Sequence, residues 1–261
     1  MGDKAVSGFV WYELMTSDLD AAVAFYRDAV GWDVRDSGMP GMRYMIFGKG
    51  GKDVGGMSSW ADMGQAGKPP KWVGHLFTPD VDAATAAVVA DGGQQWRAPQ
   101  DVPGVGRFSV ISDPQGAEIL LFQPSQTGDA PSRLRPQEPG AVGWHELATT
   151  DWERAWEFYS RHFGWTKSVA VDMGPTGTYQ TFTMDEGSGG GMMNLPPGVE
   201  GNSMVPAWLF YFTVEDIQRA AQEVRNSGGT VTHGPAQVPG GGWIVQGTDP
   251  QGAAFAVTAA K

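Results

Sequence analysis

The sequence predicts an α+β fold made of one domain that occurs twice along the chain. Residues 10–32, VWYELMTSDLDAAVAFYRDAVGW, are matched by residues 143–165, GWHELATTDWERAWEFYSRHFGW. Residues 103–116, PGVGRFSVISDPQG, are matched by residues 239–252, PGGGWIVQGTDPQG. The copies are separated by residues 123–140, a polar, proline-rich segment typical of a linker. Two such repeats in register predict tandem domains at 1–122 and 141–261.

The first half of copy one has the pattern of a strand followed by a helix. Alternating apolar residues predict a strand over Phe9–Met15. Asp18 is a suitable N-cap for the helix that follows, and Gly31 suits its exit. The helix should turn four residues towards the core: Ala21, Ala22, Phe25 and Val30. Three short strands, separated by glycine-rich turns, are predicted near 33–36, 42–47 and 54–59.

The same order of elements then starts again within copy one. A strand is predicted at 73–78, and an Ala- and Val-rich helix over 80–91 is ended by Gly92 and Gly93. Three further strands are predicted near 94–98, 108–112 and 118–122. Each half of a copy is therefore a β-α-β-β-β module, and the chain should hold four modules.

Composition excludes several classes of function. The formal net charge is -11 and no run of Lys or Arg is present, which argues against binding to nucleic acid or to anionic membranes. The sequence has no Cys, so disulfides, thiolate metal sites and thiol nucleophiles are excluded. No secretion signal and no apolar run of roughly 20 residues is visible, so a cytoplasmic location is expected.

The repeated motifs resemble a known superfamily. A strand ending in T-x-D, a helix containing F-Y, G-W at the helix exit and a later D-P-Q-G occur in both copies. This frame resembles the vicinal-oxygen-chelate superfamily, which includes glyoxalase I, bleomycin-resistance proteins and extradiol dioxygenases. The resemblance implies that the two modules of each copy curl into a cleft. It also implies a divalent metal held there by His, Gln or Glu side chains.

The positions that correspond to the family's metal ligands do not carry metal-binding side chains here. Counting from the landmarks places these positions on the first, fourth, fifth and last strands of each copy. They are Trp11, Gly56, Val73 and Leu120 in copy one, and Trp144, Gly191, Leu209 and Ala256 in copy two. We therefore expect no family metal.

Three acidic or imidazole side chains in copy one keep an alternative open. Glu13, His75 and Glu118 each lie two residues from a counted ligand position, so each shares its strand face. Together they would be suitable donors for Zn, Fe or Mn. In copy two the matching places hold Glu146, Tyr211 and Ala254, so copy one is expected to have the better functional site.

Several residues are candidates for a cleft lining. Glu13 is a candidate general base and His75 a candidate acid or base, and each has a structural alternative as a hydrogen-bonded scaffold residue. Trp11, Trp72, Trp144, Glu146 and Tyr211 are predicted to line a ligand site, because aromatic rings stack on planar molecules.

The remaining histidines and the glycine runs are expected to have mainly structural roles. His145 is expected in the core or at an interface, a surface role is expected for His162, and His233 and its counterpart Arg97 are each candidates for the rim of a cleft. The runs 189–191 and 240–242 are interpreted as turns.

Two functions from different classes follow from these observations. The leading hypothesis is a metal-free protein that binds a small apolar or aromatic molecule in its clefts. The alternative is a lyase, isomerase or dioxygenase-type enzyme with a displaced metal on Glu13, His75 and Glu118. A monomer is sufficient for either, because the duplication pairs modules within one chain.

Overall fold

A computed structural model describes residues 8–125, 133–184, 187–196 and 205–260. Within these residues the chain forms sixteen strands and four α-helices, which confirms the α+β class and the four β-α-β-β-β modules. None of the helices in the described residues is long and apolar enough to cross a membrane.

Copy one contains the first two modules. The first consists of β1 (Phe9–Thr16), α1 (Leu19–Ala29), β2 (Asp33–Asp36), β3 (Tyr44–Lys49) and β4 (Lys52–Ser59). The second consists of β5 (Lys71–Phe77), α2 (Val81–Ala90), β6 (Gln94–Val102), β7 (Gly106–Ser112) and β8 (Glu118–Pro124).

Copy two repeats this order. Its first module consists of β9 (Val142–Thr149), α3 (Trp152–Phe163), β10 (Thr166–Asp172), β11 (Thr178–Thr183) and β12 (Gly189–Asn194). Its second consists of β13 (Ala207–Thr213), α4 (Ile217–Asn226), β14 (Thr230–Gln237), β15 (Trp243–Thr248) and β16 (Ala254–Ala259). The run 240–242 is a turn as predicted, whereas the prediction of a turn at 189–191 is wrong, because these glycines begin β12.

Each copy contributes one eight-stranded mixed sheet. The strand order is β2-β3-β4-β1-β5-β8-β7-β6 in copy one and β10-β11-β12-β9-β13-β16-β15-β14 in copy two. The first and fourth strands of a module run parallel, as in β1 with β4 and β9 with β12. The predicted linker starts inside β8, and its residues 126–132 lie outside the described residues, so the domain boundaries stay a prediction.

All four helices begin at an aspartate N-cap. The carboxylate accepts a hydrogen bond from a backbone N–H two or three residues later, which satisfies an otherwise unpaired donor of the first turn. The four caps are Asp18, Asp80, Asp151 and Asp216. In α1, Ala22 and Phe25 are buried as predicted, and Val30 is buried at the C-cap, whereas Ala21 is only half-buried.

Two compact units make up the chain, and they do not follow the two sequence copies. Unit 1 consists of Met1–Val10, Gly74–Ala130 and His145–Trp208, and unit 2 of Trp11–Val73, Pro131–Trp144 and Leu209–Lys261. Each unit therefore combines most of one module from copy one with most of one module from copy two. Helix α1 packs against α4 in unit 2, and α2 against α3 in unit 1.

The core of unit 2 is built around Tyr26, which is fully buried. Its hydroxyl donates to Asp249 Oδ2 at 3.2 Å and accepts from the indole N–H of Trp72 at 2.8 Å. Trp32, from the G-W motif, stacks on Phe47 with a centroid distance of 4.1 Å. The F-Y, G-W and D-P-Q-G motifs therefore meet in one aromatic core. Within it, the Tyr26 hydroxyl, the Trp72 indole N–H and the Asp249 carboxylate satisfy one another's hydrogen bonds.

Unit 1 repeats this construction with the roles of the copies exchanged. Tyr159 donates to Asp113 Oδ2 at 3.1 Å and accepts from Trp208 at 3.0 Å. Trp165, from the second G-W motif, stacks on Phe182 at 4.8 Å. Core packing thus accounts for the recurrence of the F-Y, G-W and D-P-Q-G motifs.

Candidate functional site

A cluster of half-buried polar and aromatic side chains lies on β1 and β3 in unit 2. The indole N–H of Trp11 donates to the hydroxyl of Tyr44 at 2.9 Å. That hydroxyl in turn donates to Glu13 Oε2 at 3.5 Å, a long hydrogen bond. Strand alternation explains the grouping, since Tyr12 and Leu14 are buried on the other face of β1. The structure therefore brings the predicted residues Trp11 and Glu13 together through Tyr44.

Gly56 makes room for this cluster. It lies opposite Glu13 in the parallel pairing of β1 and β4. A Cβ atom at Gly56 would overlap the phenol ring and hydroxyl of Tyr44. The ring therefore occupies the space that any side chain at position 56 would need.

Unit 1 carries the same arrangement from copy two. Tyr179 on β11 donates to Glu146 Oε2 at 3.1 Å, and Glu146 lies opposite Gly191 in the pairing of β9 and β12. A Cβ atom at Gly191 would overlap the ring of Tyr179. A carboxylate, a tyrosine and a glycine thus occur in the same relation in both units.

Electrostatics favour the neutral form of the Tyr44 phenol. Burial raises the pKa of Tyr44 well above its usual value, and the neighbouring Glu13 carboxylate raises it further. The phenol therefore stays protonated around neutral pH, and it remains a donor to the carboxylate.

His75 and Glu118 lie on the β5–β8 pair of unit 1. His75 is 8% exposed, lies opposite Leu120, and its ring is 6.0 Å from that of Phe122. Glu118 begins β8, is half-buried and lies opposite Ser112. A catalytic role for His75 stays a prediction.

Tyr211 and Gln246 form a second polar pair in unit 2. The side-chain amide of Gln246 donates to the hydroxyl of Tyr211 at 2.6 Å. Tyr211 is buried and lies opposite Ala256 in the pairing of β13 and β16. The Tyr211 hydroxyl is therefore held in place by Gln246, a residue that was not predicted from the sequence, and a ligand contact at Tyr211 stays a prediction.

The other two predicted tryptophans lie in different settings. Trp72 is 6% exposed and donates to Tyr26, so it is part of the core of unit 2. Trp144 on β9 is half-buried. A ligand contact at either residue stays a prediction.

The structure confirms one expectation for the histidines and corrects another. His145 lies in the core, where it stacks on Phe9 at 4.8 Å and its Nδ1 contacts the carbonyl of Gly189 at 2.9 Å. The surface role expected for His162 is wrong. Its side chain is only 12% exposed, and its Nε2 lies 2.9 Å from Oδ2 of Asp91, the C-cap residue of α2. His233 is exposed on β14, and Arg97 lies on β6 over the ring of Phe108.

Tyr44 and Tyr179 were not among the residues predicted from the sequence, although a signal for them exists. Both begin a Y-x-x-F pattern that ends at Phe47 and Phe182, and the first of each pair of rings covers a glycine of the following strand. The pattern is short, and it becomes visible only after the longer repeats have been aligned.

The family follows from comparison with known proteins. The profile of the Glyoxalase/Bleomycin resistance protein/Dioxygenase superfamily matches residues 8–121 and again residues 141–257. The chain belongs to this superfamily. The match covers both copies and confirms the resemblance seen in the repeated motifs.

Two curated relatives of this superfamily member match along nearly its whole length. "Putative glyoxylase CFP32" of Mycobacterium tuberculosis is 32% identical over 250 residues, which cover 95% of this chain and 92% of that protein. "Anthracycline biosynthesis protein DnrV" of Streptomyces peucetius is 30% identical over 262 residues, which cover 95% and 91%.

Two solved structures have a similar fold. The Mn(II)-bound glyoxalase of Novosphingobium aromaticivorans has a TM-score of 0.67 and 17% identity, covering 98% of this chain and 83% of that one. Homoprotocatechuate 2,3-dioxygenase of Arthrobacter globiformis has a TM-score of 0.68 and 16% identity, covering 98% and 80%. At such identities the likeness shows the fold and leaves the reaction open.

The residues of this chain do not fit the superfamily's metal. In the parallel strand pairs, Glu13 lies opposite Gly56 and His75 lies opposite Leu120. The positions counted from the sequence, Trp11 and Val73, do not lie opposite these residues. We call each pair of opposite residues a row. Each row therefore pairs one candidate donor with a residue that has none: Glu13 with Gly56, His75 with Leu120, Glu146 with Gly191, and Tyr211 with Ala256. Across the described residues, no three His, Asp or Glu side chains are grouped to hold an ion. A displaced metal on Glu13, His75 and Glu118 stays a prediction.

Proposed function

We propose that this superfamily member binds a small apolar or aromatic molecule without the superfamily's metal. The observation that supports the proposal most directly is the position of Tyr44. It joins Trp11 and Glu13 in one hydrogen-bonded cluster and fills the space above Gly56. Tyr179 and Glu146 repeat the pair in unit 1.

Physical chemistry indicates which ligand suits such a surface. Half-buried tryptophan and tyrosine rings offer large apolar faces at a low cost in side-chain entropy, and they stack favourably on planar rings. The carboxylate beside them gives the ligand an orientation, because it accepts hydrogen bonds and donates none when ionised. A planar aromatic molecule with polar substituents is therefore the best match.

The name of one relative supports the same class. DnrV, 30% identical, is named as a protein of anthracycline biosynthesis, and anthracyclines are fused-ring aromatic compounds.

A fluorescence titration tests the proposal. A dihydroxyanthraquinone added to the purified protein is expected to quench tryptophan emission in a saturable manner. The Trp11→Leu variant should bind at least about tenfold more weakly, which corresponds to about 1.4 kcal/mol. The matched control is Trp96→Leu, because Trp96 is 62% exposed on β6 and belongs to neither cluster. Quenching that never saturates, or equal losses in both variants, would count against the proposal.

A further inference from the structure

We infer that each tyrosine–glutamate pair is a separate polar anchor for a hydroxyl-bearing aromatic molecule, so that one chain binds two such molecules. The first anchor is Tyr44 with Glu13 in unit 2, and the second is Tyr179 with Glu146 in unit 1. This inference rests on the proposed function and adds to it the ligand's polar group and the stoichiometry.

The glycines under the rings indicate that both phenols are placed in the same way. A glycine inside a strand weakens it, because it adds backbone entropy to the unfolded chain and packs no side chain. Gly56 and Gly191 nevertheless lie inside β4 and β12, each opposite the glutamate of its pair. Each glycine leaves space that the phenol ring of its own unit fills. Each ring thus has the same position within its unit, because a glycine in the neighbouring strand leaves room for it.

The direction of the hydrogen bonds selects the ligand's polar group. In unit 2, the Trp11 N–H donates to the Tyr44 oxygen, and the Tyr44 hydroxyl donates to Glu13. In unit 1, the Tyr179 hydroxyl donates to Glu146. An ionised carboxylate has about four lone-pair positions and donates nothing. The group that suits it is a donor, and a phenolic hydroxyl combines that donor with a ring for stacking.

The phenol also takes over the place of a metal-binding side chain. Positions 56 and 191 correspond to the fourth-strand ligand position expected from the superfamily, and no side chain fits there beside the tyrosine. The anchor is then a charge-assisted hydrogen bond to a glutamate that the tyrosine orients. Hydrogen bonds to charged groups contribute more than hydrogen bonds between neutral groups.

The test is an isothermal titration with a dihydroxyanthraquinone and with its dimethoxy counterpart, which lacks the hydroxyl donors. Wild-type protein should bind about two dihydroxy molecules per chain, and the dimethoxy compound at least about tenfold more weakly. Tyr44→Phe and Tyr179→Phe should each leave one strong site, and the double variant none. Glu13→Gln and Glu146→Gln are the second pair of variants, should a phenylalanine variant fail to fold. The control is Tyr12→Phe, because Tyr12 is buried on the opposite face of β1.

The outcomes separate this inference from the proposed function. Saturable binding of one molecule per chain, or binding unchanged in the double variant, would overturn the two-anchor inference and leave the proposed function standing. Equal affinity for the dimethoxy compound would overturn the choice of a hydroxyl donor. No binding to the wild-type protein would overturn both.

Discussion

Tyr26 donates a hydrogen bond to Asp249, a residue 223 positions further along the chain. The pair joins the F-Y motif of copy one to the D-P-Q-G motif of copy two inside unit 2. Tyr159 and Asp113 make the reciprocal connection inside unit 1. Asp249 and Asp113 also accept backbone N–H groups of their own turns through Oδ1. Each aspartate thus stabilises a turn and fixes the helix of the other copy.

Removing either tyrosine hydroxyl should destabilise the protein. Tyr26→Phe leaves Asp249 Oδ2 and the Trp72 N–H without their buried partner, so the free energy of unfolding should fall by about 1–3 kcal/mol. Tyr159→Phe should cost a similar amount. Urea unfolding measures both effects.

A double-mutant cycle with Asp249→Asn identifies the cause of that loss. The double variant should lose less than the sum of the single losses, because the two residues interact directly. Additive losses, or a change below about 0.5 kcal/mol for Tyr26→Phe, would contradict this account of the motifs.

His145 should make stability depend on pH. Burial lowers the pKa of His145 to about 4. In the unfolded chain the pKa of His145 is near 6.5, so between pH 4 and 6.5 the unfolded chain binds more protons than the folded chain. The stability that comes from keeping His145 neutral is therefore fully present above pH 6.5, and it is lost as pH falls towards 4. The difference corresponds to about 3 kcal/mol. In His145→Phe this part of the pH dependence should be missing from urea unfolding between pH 4 and 7. A wild-type to variant difference that stays constant across this range would contradict it.

Much of the fold could be predicted from the sequence, because its signals are local. Asp18 and Asp80 mark the starts of α1 and α2. Aligning the duplicated motifs then predicts the positions of the matching elements in copy two. The division into units could not be predicted in this way. It depends on contacts such as Tyr26 with Asp249, and a repeat alone does not say whether a module packs with its own copy or with the other.

The candidate site was predictable only in part. Strand alternation placed Trp11 and Glu13 on one face, and the structure brings them together. The tyrosine that joins them comes from a strand 31 residues after Glu13, and its position depends on sheet pairing. Counting along the chain also missed the register that sets Glu13 opposite Gly56. Both misses concern contacts between strands, which spacing within one strand does not reveal.

Purified protein should contain well under one divalent ion per chain. The rows Glu13 with Gly56 and His75 with Leu120 each supply a single donor, which is too few for a tight site. A chelator should therefore leave the melting temperature unchanged, since a tightly bound ion would stabilise the native state by several kcal/mol. Elemental analysis and thermal melting with and without chelator measure this. Stoichiometric Zn, Fe or Mn with chelator-sensitive melting would instead favour the displaced site on Glu13, His75 and Glu118.

Gly56→Ala should destabilise the protein through Tyr44. An alanine methyl group would overlap the phenol ring, and overpacking of this kind costs about 1–3 kcal/mol. Gly242→Ala is the matched control, because the atom nearest to its added Cβ is Ala259 O at 3.6 Å. That control should change the free energy of unfolding by less than about 0.5 kcal/mol. Urea unfolding gives both values.

The same substitution should be tolerated once the ring is removed. In Gly56→Ala combined with Tyr44→Ala, the methyl group enters the vacated space, so the double variant should be at least about 1 kcal/mol more stable than the sum of the single effects predicts. Gly191→Ala with Tyr179→Ala should behave alike, because the same overlap exists in unit 1. Additive losses in both pairs would mean that glycine is required at these positions by the strand backbone and not by the tyrosine ring that packs on it.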